Sequence, residues 1–274
     1  IVKMFKINNL TYQYDKTRKA LDNVSMDFNK GNIIGIIGSN GSGKSTLFNN
    51  LMGILKSTEG EILYNGEQIK YDKKSLYNLR KEVGIVFQDP EKQIFYSMVY
   101  DDIAFALRNI GIDEKTIKER IHTALEAVNG LQFIDRPVHN LSFGQKKRVA
   151  IASVVAMENK LVLLDEPTAG LDPISTRAIV DIIKGLNKRG VKIVISSHDM
   201  NLIYEICDYV YVLNQGVLIN EGTREEVFIN EEKIDEAGLE LPWLVKLHKN
   251  MGLPLFTKEQ DLYSYWNHRE QKTV

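Results

Sequence analysis

The sequence is poor in cysteine and has no long hydrophobic run. Its single cysteine, Cys207, excludes an intrachain disulfide and fits a reducing compartment, where we expect it to be a small buried hydrophobe. The apolar stretch "VAIASVVAM" (149–157) falls far short of the roughly 18 residues of a membrane span. The N-terminus lacks a basic segment followed by an apolar one, so we expect no signal peptide. Any membrane role should therefore depend on a partner.

The chain also lacks an excess of either charge. It carries 35 basic and 36 acidic residues, a formal net charge of -1, which argues against a general nucleic-acid or acidic-membrane binder. Of its 274 residues, 43% are hydrophobic and 26% are charged, a composition typical of globular proteins. This length is enough for one large domain or two modest ones.

Hydrophobic periodicity changes along the chain. Alternating residues at 4–14, 21–28 and 61–69 predict strands, and Asn65-Gly66 predicts a two-residue hairpin turn. The segment 89–158 has mainly helical spacing, and after it short apolar strands alternate with helices. Such alternation predicts a parallel sheet with helices on its faces. The tail beyond about 231 is charged but contains aromatic residues, so we expect it to pack against a surface: Trp243, Phe256, Tyr263 and Trp266.

The segment "GSNGSGKST" (38–46) fits the phosphate-loop pattern G-x-x-x-x-G-K-[ST] and lies between an apolar strand and a helical stretch. Its glycines allow the backbone to wrap with N–H groups pointing inward, Lys44 is predicted to reach the terminal phosphates, and Ser45 offers a hydroxyl to Mg²⁺. A chance glycine-rich turn is the alternative, which the two flanking elements argue against. The predicted nucleotide-binding residues of this phosphate loop are Gly38, Ser39, Asn40, Gly41, Ser42, Gly43, Lys44, Ser45 and Thr46.

Polar side chains end three other apolar strands. Asp165 and Glu166 follow "LVLL"; Asp165 is predicted to hold Mg²⁺ through water and Glu166 to act as general base. Gln88 follows "VGIVF" and His198 follows "KIVISS". Each of these alone is more often a polar residue closing a strand. Beside a phosphate loop, we predict that Gln88 and His198 reach the terminal phosphate and the attacking water, and that Gln88 is also a ligand of the metal.

The segment "LSFGQ" (141–145) is called here the signature segment. Its residues are typical of a helix N-terminus that binds an anion, so it predicts a second anion site besides the phosphate loop. A plain helix cap would need only Ser142 and leaves Gly144 and Gln145 unexplained. Because one nucleotide occupies one phosphate loop, the second site is predicted to serve the nucleotide of another copy packed head to tail. The basic residues that follow, Lys146, Lys147 and Arg148, are expected on a solvated helix face.

Together these motifs resemble the ATPase subunits of ATP-binding-cassette (ABC) transporters, over residues 1 to about 230. The resemblance implies ATP and Mg²⁺ as ligands. It also implies that Tyr14 stacks on adenine and that "TAGLD" (168–172), ending at Asp172, communicates between two sites. One departure from the family pattern is Phe143, where the signature usually has glycine. The signature residues predicted to contact nucleotide are Ser142, Phe143, Gly144 and Gln145.

The segments "QDPEKQIFYSMVYDDIAFAL" (88–107) and "LELPWLVKL" (239–247) are similar to ATPases of the energy-coupling-factor and cobalt-importer type. This resemblance implies a peripheral protein at the cytoplasmic face of the cell membrane. Its partners would be a second ATPase, identical or related, a membrane scaffold protein and a substrate-binding membrane protein. The imported substrate would be a vitamin or a transition-metal ion such as cobalt. Ile94 and Phe95 are predicted to dock on the membrane partner; the alternative is that they complete the helical region's own core.

The expected fold is therefore α/β, a P-loop NTPase (RecA-like) core with an N-terminal antiparallel β subdomain, an inserted α-helical subdomain and a C-terminal extension. We expect the ATPase domain at 1–230, with its helical part at about 89–158, and the extension, for dimerisation, at 231–274. Another class of ABC transporter ATPase and a non-transport ABC ATPase are the alternatives. A P-loop GTPase is disfavoured because "NKRG" (187–190) lacks the Asp of a base-reading motif, and a small-molecule kinase would not need "LSFGQ".

Overall fold

The computed structural model describes residues 4–15 and 18–270, so the outer limits of the expected domains, 1 and 274, lie outside it. Within these residues the chain forms two β-sheets. Their strands are β1 (Phe5–Gln13), β2 (Lys19–Asp27), β3 (Ile33–Ile37), β4 (Glu59–Tyr64), β5 (Glu67–Gln68), β6 (Val83–Val86), β7 (Leu161–Asp165), β8 (Lys192–Ser197), β9 (Tyr209–Asn214) and β10 (Val217–Thr223).

Helices cover both faces of the larger sheet and form most of the segment between β6 and β7. They are α1 (Lys44–Leu51), α2 (Lys73–Glu82), α3 (Val99–Asn109), α4 (Glu114–Ala127), α5 (Phe143–Ala156), α6 (Pro173–Lys188), α7 (Met200–Ile206), α8 (Arg224–Ile229), α9 (Glu231–Glu236), α10 (Trp243–Met251) and α11 (Glu259–Glu270). No helix in the described part of the chain combines the length and the apolar character needed to cross a bilayer.

The smaller sheet is antiparallel, in the order β2-β1-β4-β5. Asn65 and Gly66 join β4 to β5 with φ angles of 54° and 86°. Two positive φ angles are what a type I′ hairpin turn requires, and Asn-Gly is the dipeptide that adopts them at least cost. The predicted hairpin and the predicted antiparallel subdomain are confirmed.

The larger sheet has the order β10-β9-β3-β8-β7-β6, with β10 antiparallel to β9 and the other neighbours parallel. Because β3, β8, β7 and β6 are neighbours and parallel, their carboxyl ends meet at one edge. Ligands bind at that edge in open α/β sheets. The phosphate loop, Gln88, Asp165 with Glu166, and His198 follow these four strand ends, and the α/β class is confirmed.

Two hydrophobic cores lie on opposite faces of this sheet. In β7, Leu161 and Leu163 pack toward the smaller sheet and α1, whereas Val162 and Leu164 pack toward the helical region and the C-terminal helices. A strand covered on both faces has no polar face, which is why "LVLL" reads as a continuous apolar run. The helical region is α3, α4 and α5, packed on one another.

The C-terminal extension packs against the second core for most of its length. Ile234, Leu244 and Val245 are buried there, and the Trp243 backbone N–H donates to Asn201 Oδ1 at 2.9 Å. On α11, Tyr263 and Trp266 are exposed. The aromatic residues of the tail thus divide into those that pack on the domain and those that face outward. Dimerisation through this extension stays a prediction.

Candidate functional site

The phosphate loop links the buried strand β3 to α1. A Cβ atom built on Gly38 would lie 2.3 Å from the Leu213 carbonyl oxygen and 2.5 Å from Ser42 Oγ, so only glycine fits there. Gly41 and Gly43 have φ angles of 79° and 108°, in the region that favours glycine. These constraints wind the loop tightly over the start of α1, where the first backbone N–H groups of a helix lack intrahelical acceptors.

The Lys44 ammonium lies inside this loop. It donates to the carbonyl oxygens of Gly38 at 2.7 Å and Ser39 at 3.1 Å, and lies 3.9 Å from Glu166 Oε1. Burial lowers its pKa, and the carboxylates of Glu166 and Asp165 act in the opposite direction. A buried ammonium with flexible reach, surrounded by turned-in amides, is suited to bind the charge of a phosphate group.

Ser42 gives an independent indication of an anion site. Its Oγ is buried and has no hydrogen-bond partner among the described residues. Leaving a hydroxyl unpaired in a protein interior is costly, so such a group usually has a ligand or water as its partner. The loop's donor set therefore fits a phosphate-bearing ligand.

A cleft of about 460 Å³ opens over the loop and brings most of the predicted site residues together. Tyr14 stands at its edge with an exposed ring, and its hydroxyl lies 3.1 Å from Thr46 Oγ1. An exposed aromatic face beside a phosphate loop can stack on a nucleobase. The predicted residues that line the cleft are Tyr14, Asn40, Gly41, Ser42, Gly43, Lys44, Ser45, Thr46, Gln88 and Glu166.

Two carboxylates emerge at the end of β7 and have different surroundings. Asp165 is buried, and its Oδ1 accepts a hydrogen bond from Ser196 Oγ at 2.5 Å. Glu166 has φ 47°, uncommon for a residue with a side chain, and its N–H donates to Ser196 O and Ser196 Oγ, both at 3.1 Å. This backbone conformation aims Glu166 into the cleft, whereas Asp165 stays fixed to β8.

His198 touches the same carboxylate. Its Nδ1 lies 2.8 Å from Glu166 Oε2, and since a carboxylate only accepts, Nδ1 must carry the proton in this contact. Gln88 is exposed at the cleft wall. The structure thus brings Lys44, Glu166, His198 and Gln88 to one place. The chemical roles predicted for them stay predictions.

The signature segment lies outside this cleft. Ser142 Oγ accepts from the Gln145 N–H at 3.3 Å, and Gln145 Oε1 accepts from the Ser142 N–H at 2.9 Å. This is a capping box, so a helix cap does explain Gln145, and the expectation that it could not was wrong. A Cβ on Gly144 would lie 3.1 Å from Ser175 Oγ, so close packing on α6 explains the glycine as well. Anion binding by this segment stays a prediction.

Asp172 caps the start of α6. Its Oδ1 accepts from the N–H groups of Ile174 and Ser175, both at 2.9 Å, and its Oδ2 accepts from Ser175 Oγ at 2.7 Å. The hydrogen bond from Ser175 lowers the pKa of Asp172. The 168–172 segment therefore leads into a firmly capped helix, beside the signature segment.

Sequence reasoning missed one residue of this neighbourhood. Lys147, expected on a solvated face, is 1% exposed, and its ammonium donates to backbone carbonyl oxygens of the loop that carries Glu166. A signal was available in the sequence. Lys147 shares a helix face with Ala150, Ile151 and Val154, at spacings of three, four and seven, and this is the buried face of α5.

The segment after Gln88 forms an exposed aromatic surface of Phe95, Tyr96 and Phe105, called here the aromatic surface. Asp102 fixes it, because its Oδ1 accepts from the N–H groups of Phe95 at 2.8 Å and Tyr96 at 3.1 Å. Phe95 is 78% exposed, whereas Ile94 is partly buried against the core formed by the helical region and the C-terminal helices. Of the two residues expected on the surface, only Phe95 is fully displayed.

Comparisons with known proteins agree with this geometry. The family model described as "ABC transporter" matches residues 21–169. A Listeria monocytogenes protein with a provisional ABC transporter ATP-binding name is 51% identical over 96% of this chain and 98% of its own. The cobalt import ATP-binding protein CbiO of Salmonella typhimurium is 45% identical over 98% of this chain and 97% of its own. The energy-coupling factor transporter ATP-binding protein EcfA of Methanosphaera stadtmanae is 43% identical over 90% of this chain and 89% of its own.

Solved structures of ATP-binding cassettes are also similar to this chain. CbiO1 of Clostridium perfringens, part of the CbiONQ transporter complex, has a TM-score of 0.78 and 41% identity, and covers 91% of this chain and 100% of its own. A dimeric ATP-binding cassette in a post-hydrolysis state, bound to ADP and Pi, has a TM-score of 0.72 and 28% identity, and covers 81% of this chain and 99% of its own.

Proposed function

Because the chain belongs to the ABC transporter ATP-binding family, and is therefore an ATP-binding and ATP-hydrolysing transporter subunit, we propose that it powers an importer of the energy-coupling-factor type. The proposed cargo is a vitamin or a transition-metal ion, with cobalt as the specific candidate. The likeness to CbiO and EcfA proteins over nearly the whole chain supports this choice. The observation that carries the enzymatic part is the meeting of Lys44, Glu166 and His198 at one strand edge.

We propose that Glu166 is the general base. Its carboxylate is buried, points into the cleft and is held by His198 on Oε2. Oε1 lies 3.9 Å from Lys44 Nζ, beyond hydrogen-bond distance, so it can accept a proton from an attacking water. A positioned base contributes about 10²–10⁴-fold to a rate. Lys44 holds the terminal phosphate charge, and Gln88, at the cleft wall, lies where it can orient the water.

The oxygen ligands near the phosphate loop fit a magnesium ion. The Ser45 hydroxyl, the Asp165 carboxylate and the Gln88 amide oxygen are hard donors of the kind Mg²⁺ prefers, and we propose that they hold it, in part through water. When bound, the ion neutralises charge on the phosphates. The bond from Ser196 Oγ to Oδ1 holds the Asp165 carboxylate in place at the end of β7.

We further propose that two copies, or this chain and a related one, form composite sites in which the signature segment of one contacts the nucleotide of the other. Ser142 and Phe143 are exposed and do not line the chain's own cleft, so they are accessible to a partner. A related cassette is dimeric with ADP and Pi bound, which supports the arrangement. Asp172, through the 168–172 segment, would then connect the two sites.

For the partners, we propose a membrane scaffold protein and a substrate-binding membrane protein, with this chain peripheral at the cytoplasmic face of the membrane. The aromatic surface is the proposed docking site. Apolar rings in water are costly unless they are covered, and this surface follows directly on Gln88, which is placed to respond to the nucleotide.

Purification of the tagged chain from native membranes tests this function. We expect polytopic membrane proteins to co-purify, and reconstituted vesicles to accumulate one labelled substrate, Co²⁺ or a vitamin, only with ATP. Accumulation of neither cargo class, with transport of another compound, would indicate a different ABC class. Co-purification with nucleic acid or ribosomes and no membrane protein would indicate a non-transport ABC ATPase.

A further inference from the structure

Lys147 occupies an unusual environment on α5. Its side chain is buried, and its Nζ donates to the carbonyl oxygens of Glu166 at 2.8 Å, Pro167 at 3.0 Å and Ala169 at 3.0 Å. An ammonium has three N–H donors, and these three carbonyls use all of them. Lys147 therefore has no donor left for a phosphate, and its contacts are with the backbone of the loop at 166–169.

The three carbonyl acceptors around Lys147 require the three N–H donors of its protonated form. Burial lowers its pKa to about 8, and the carboxylates of Glu166, Asp165 and Asp89 oppose this shift. A protonated lysine binds carbonyl oxygens more strongly than a neutral donor would. The 166–169 loop is thus attached to α5 by charge-assisted hydrogen bonds in a buried place.

This loop needs support from outside. Glu166 has φ 47° and Gly170 has φ 75°, so the chain turns through left-handed conformations at both ends of the loop. The Glu166 N–H donates to Ser196, and the Glu166 carbonyl oxygen accepts from Lys147. The backbone of the proposed base is therefore held from both sides, by β8 and by α5.

Phe143 covers the same contact. Its ring centroid lies 5.4 Å from Lys147 Nζ, and a Cβ built on Gly170 would lie 3.4 Å from its ring. The ring is 41% exposed, lies one helical turn before Lys147, and its face attracts the cation. The phenylalanine of the signature segment thus has a physical explanation within this chain.

We propose that Lys147 is a positioning residue that holds the 166–169 loop against the start of α5, so that Glu166 and the signature segment move as one unit. Positioning of Glu166 within one chain rests on the proposed role of Glu166 as base. Communication to a second nucleotide rests in addition on the proposed composite sites. In that arrangement the start of α5 contacts the nucleotide bound by the partner, and Glu166 acts on the nucleotide bound by its own chain. Lys147 connects these two elements.

The test compares steady-state ATP hydrolysis by the full-length protein and its variants. For Lys147→Met we expect kcat to fall about 10- to 100-fold with KM for Mg-ATP within about twofold, because the base is displaced while the phosphate loop is intact. Lys147→Arg keeps the charge and the donors and should restore a large part of kcat. Arg148→Met removes a neighbouring positive charge on the same helix that donates to Asn129 O and not to the 166–169 loop, and should leave kcat within about twofold of wild type.

A double variant separates positioning from general destabilisation. If Lys147 acts through Glu166, then Lys147→Met should change kcat by less than about twofold in a Glu166→Gln background. Multiplicative losses in the double variant, or equal losses in Lys147→Met and Arg148→Met, would overturn the proposal. So would a wild-type kcat in Lys147→Met, or in Lys147→Gln if the methionine variant does not fold by thermal melting. A Glu166→Gln variant that hydrolyses ATP normally would instead overturn the role of Glu166.

Discussion

His198 Nδ1 and Glu166 Oε2 lie 2.8 Å apart, at the ends of the neighbouring strands β8 and β7. The histidine side chain is 60% exposed, whereas the glutamate side chain is only 7% exposed. The contact thus joins a water-accessible group to a buried carboxylate that points into the nucleotide cleft. In the proposed mechanism the histidine fixes the direction of the base and stabilises its charge.

Removing this hydrogen bond should slow hydrolysis without preventing nucleotide binding. For His198→Ala we expect kcat to fall by at least about tenfold, because a hydrogen bond to a charged group is worth about 1.5–3 kcal/mol. The measurement is steady-state ATPase kinetics together with a fluorescent-nucleotide titration. His122→Ala, on the exposed face of α4, is the control. Equal kcat in His198→Ala and the control would show that His198 has no part in the reaction.

The composite-site arrangement predicts complementation between two inactive chains. Ser142→Arg should disable the site of the partner, because a bulky cation displaces the hydroxyl and the helix start, whereas Lys44→Ala should disable the chain's own site. An equal mixture of the two variants then contains dimers with one intact site. If the chain forms homodimers with independent sites, about a quarter of wild-type activity should return.

The same substitutions give the opposite result if both sites are formed within one chain, since the mixture would then stay inactive. Thr123→Arg, an exposed hydroxyl on α4 changed in the same way, controls for the added charge. Cross-linking across the site in a Glu166→Gln background, with and without ATP, separates ATP-dependent closure from dimerisation through the C-terminal extension. No homodimer under any of these conditions would indicate a related chain as the partner.

The aromatic surface should be needed for assembly and not for folding. Phe95→Asp replaces a ring that is 78% exposed, so the isolated protein should keep its melting temperature and its ATP binding. In the complex, an unpaired charge buried at the interface should break association or uncouple hydrolysis from transport. Pull-down of the membrane partner and uptake are the measurements.

Ile94 is a poorer probe of docking than the sequence indicates, because it packs partly on the core of the helical region and its replacement by Asp should lower stability. Ile54→Asp, at an exposed apolar residue after α1, is the matched control. Normal pull-down and uptake by Phe95→Asp would exclude docking through this ring. Unfolding of Phe95→Asp alone would mean that the ring belongs to the core.

Much of the fold followed from local patterns. The apolar runs before Gly38 and Asp165 predicted buried parallel strands because both faces of the large sheet are covered. In contrast, α2 gave little signal, since its ten residues bury only Leu79 and its start depends on a cap by Asp72. A helix with one buried side chain has no apolar stripe to find.

The residues of the candidate site were predictable where they belong to a sequence motif with a known chemical role. Lys44 and Gly38 belong to such a pattern, and the structure brings them to the strand edge. Lys147 could not be assigned in this way, because the carbonyls that it binds come from a loop about 20 residues further along the chain. The spacing of its apolar neighbours indicates that Lys147 is buried, but only the tertiary structure shows which acceptors surround it.

The turnover number of Glu166→Gln at saturating Mg-ATP tests the central claim, that Glu166 is the base of this ATPase, most directly. The substitution keeps the size and one oxygen of the side chain, so His198 can still donate to it, but removes the proton acceptor. We expect kcat to fall about 10²–10⁴-fold while nucleotide affinity is retained, with Glu119→Gln on the exposed face of α4 as the control. A Glu166→Gln variant that turns over ATP as fast as the control would contradict the account.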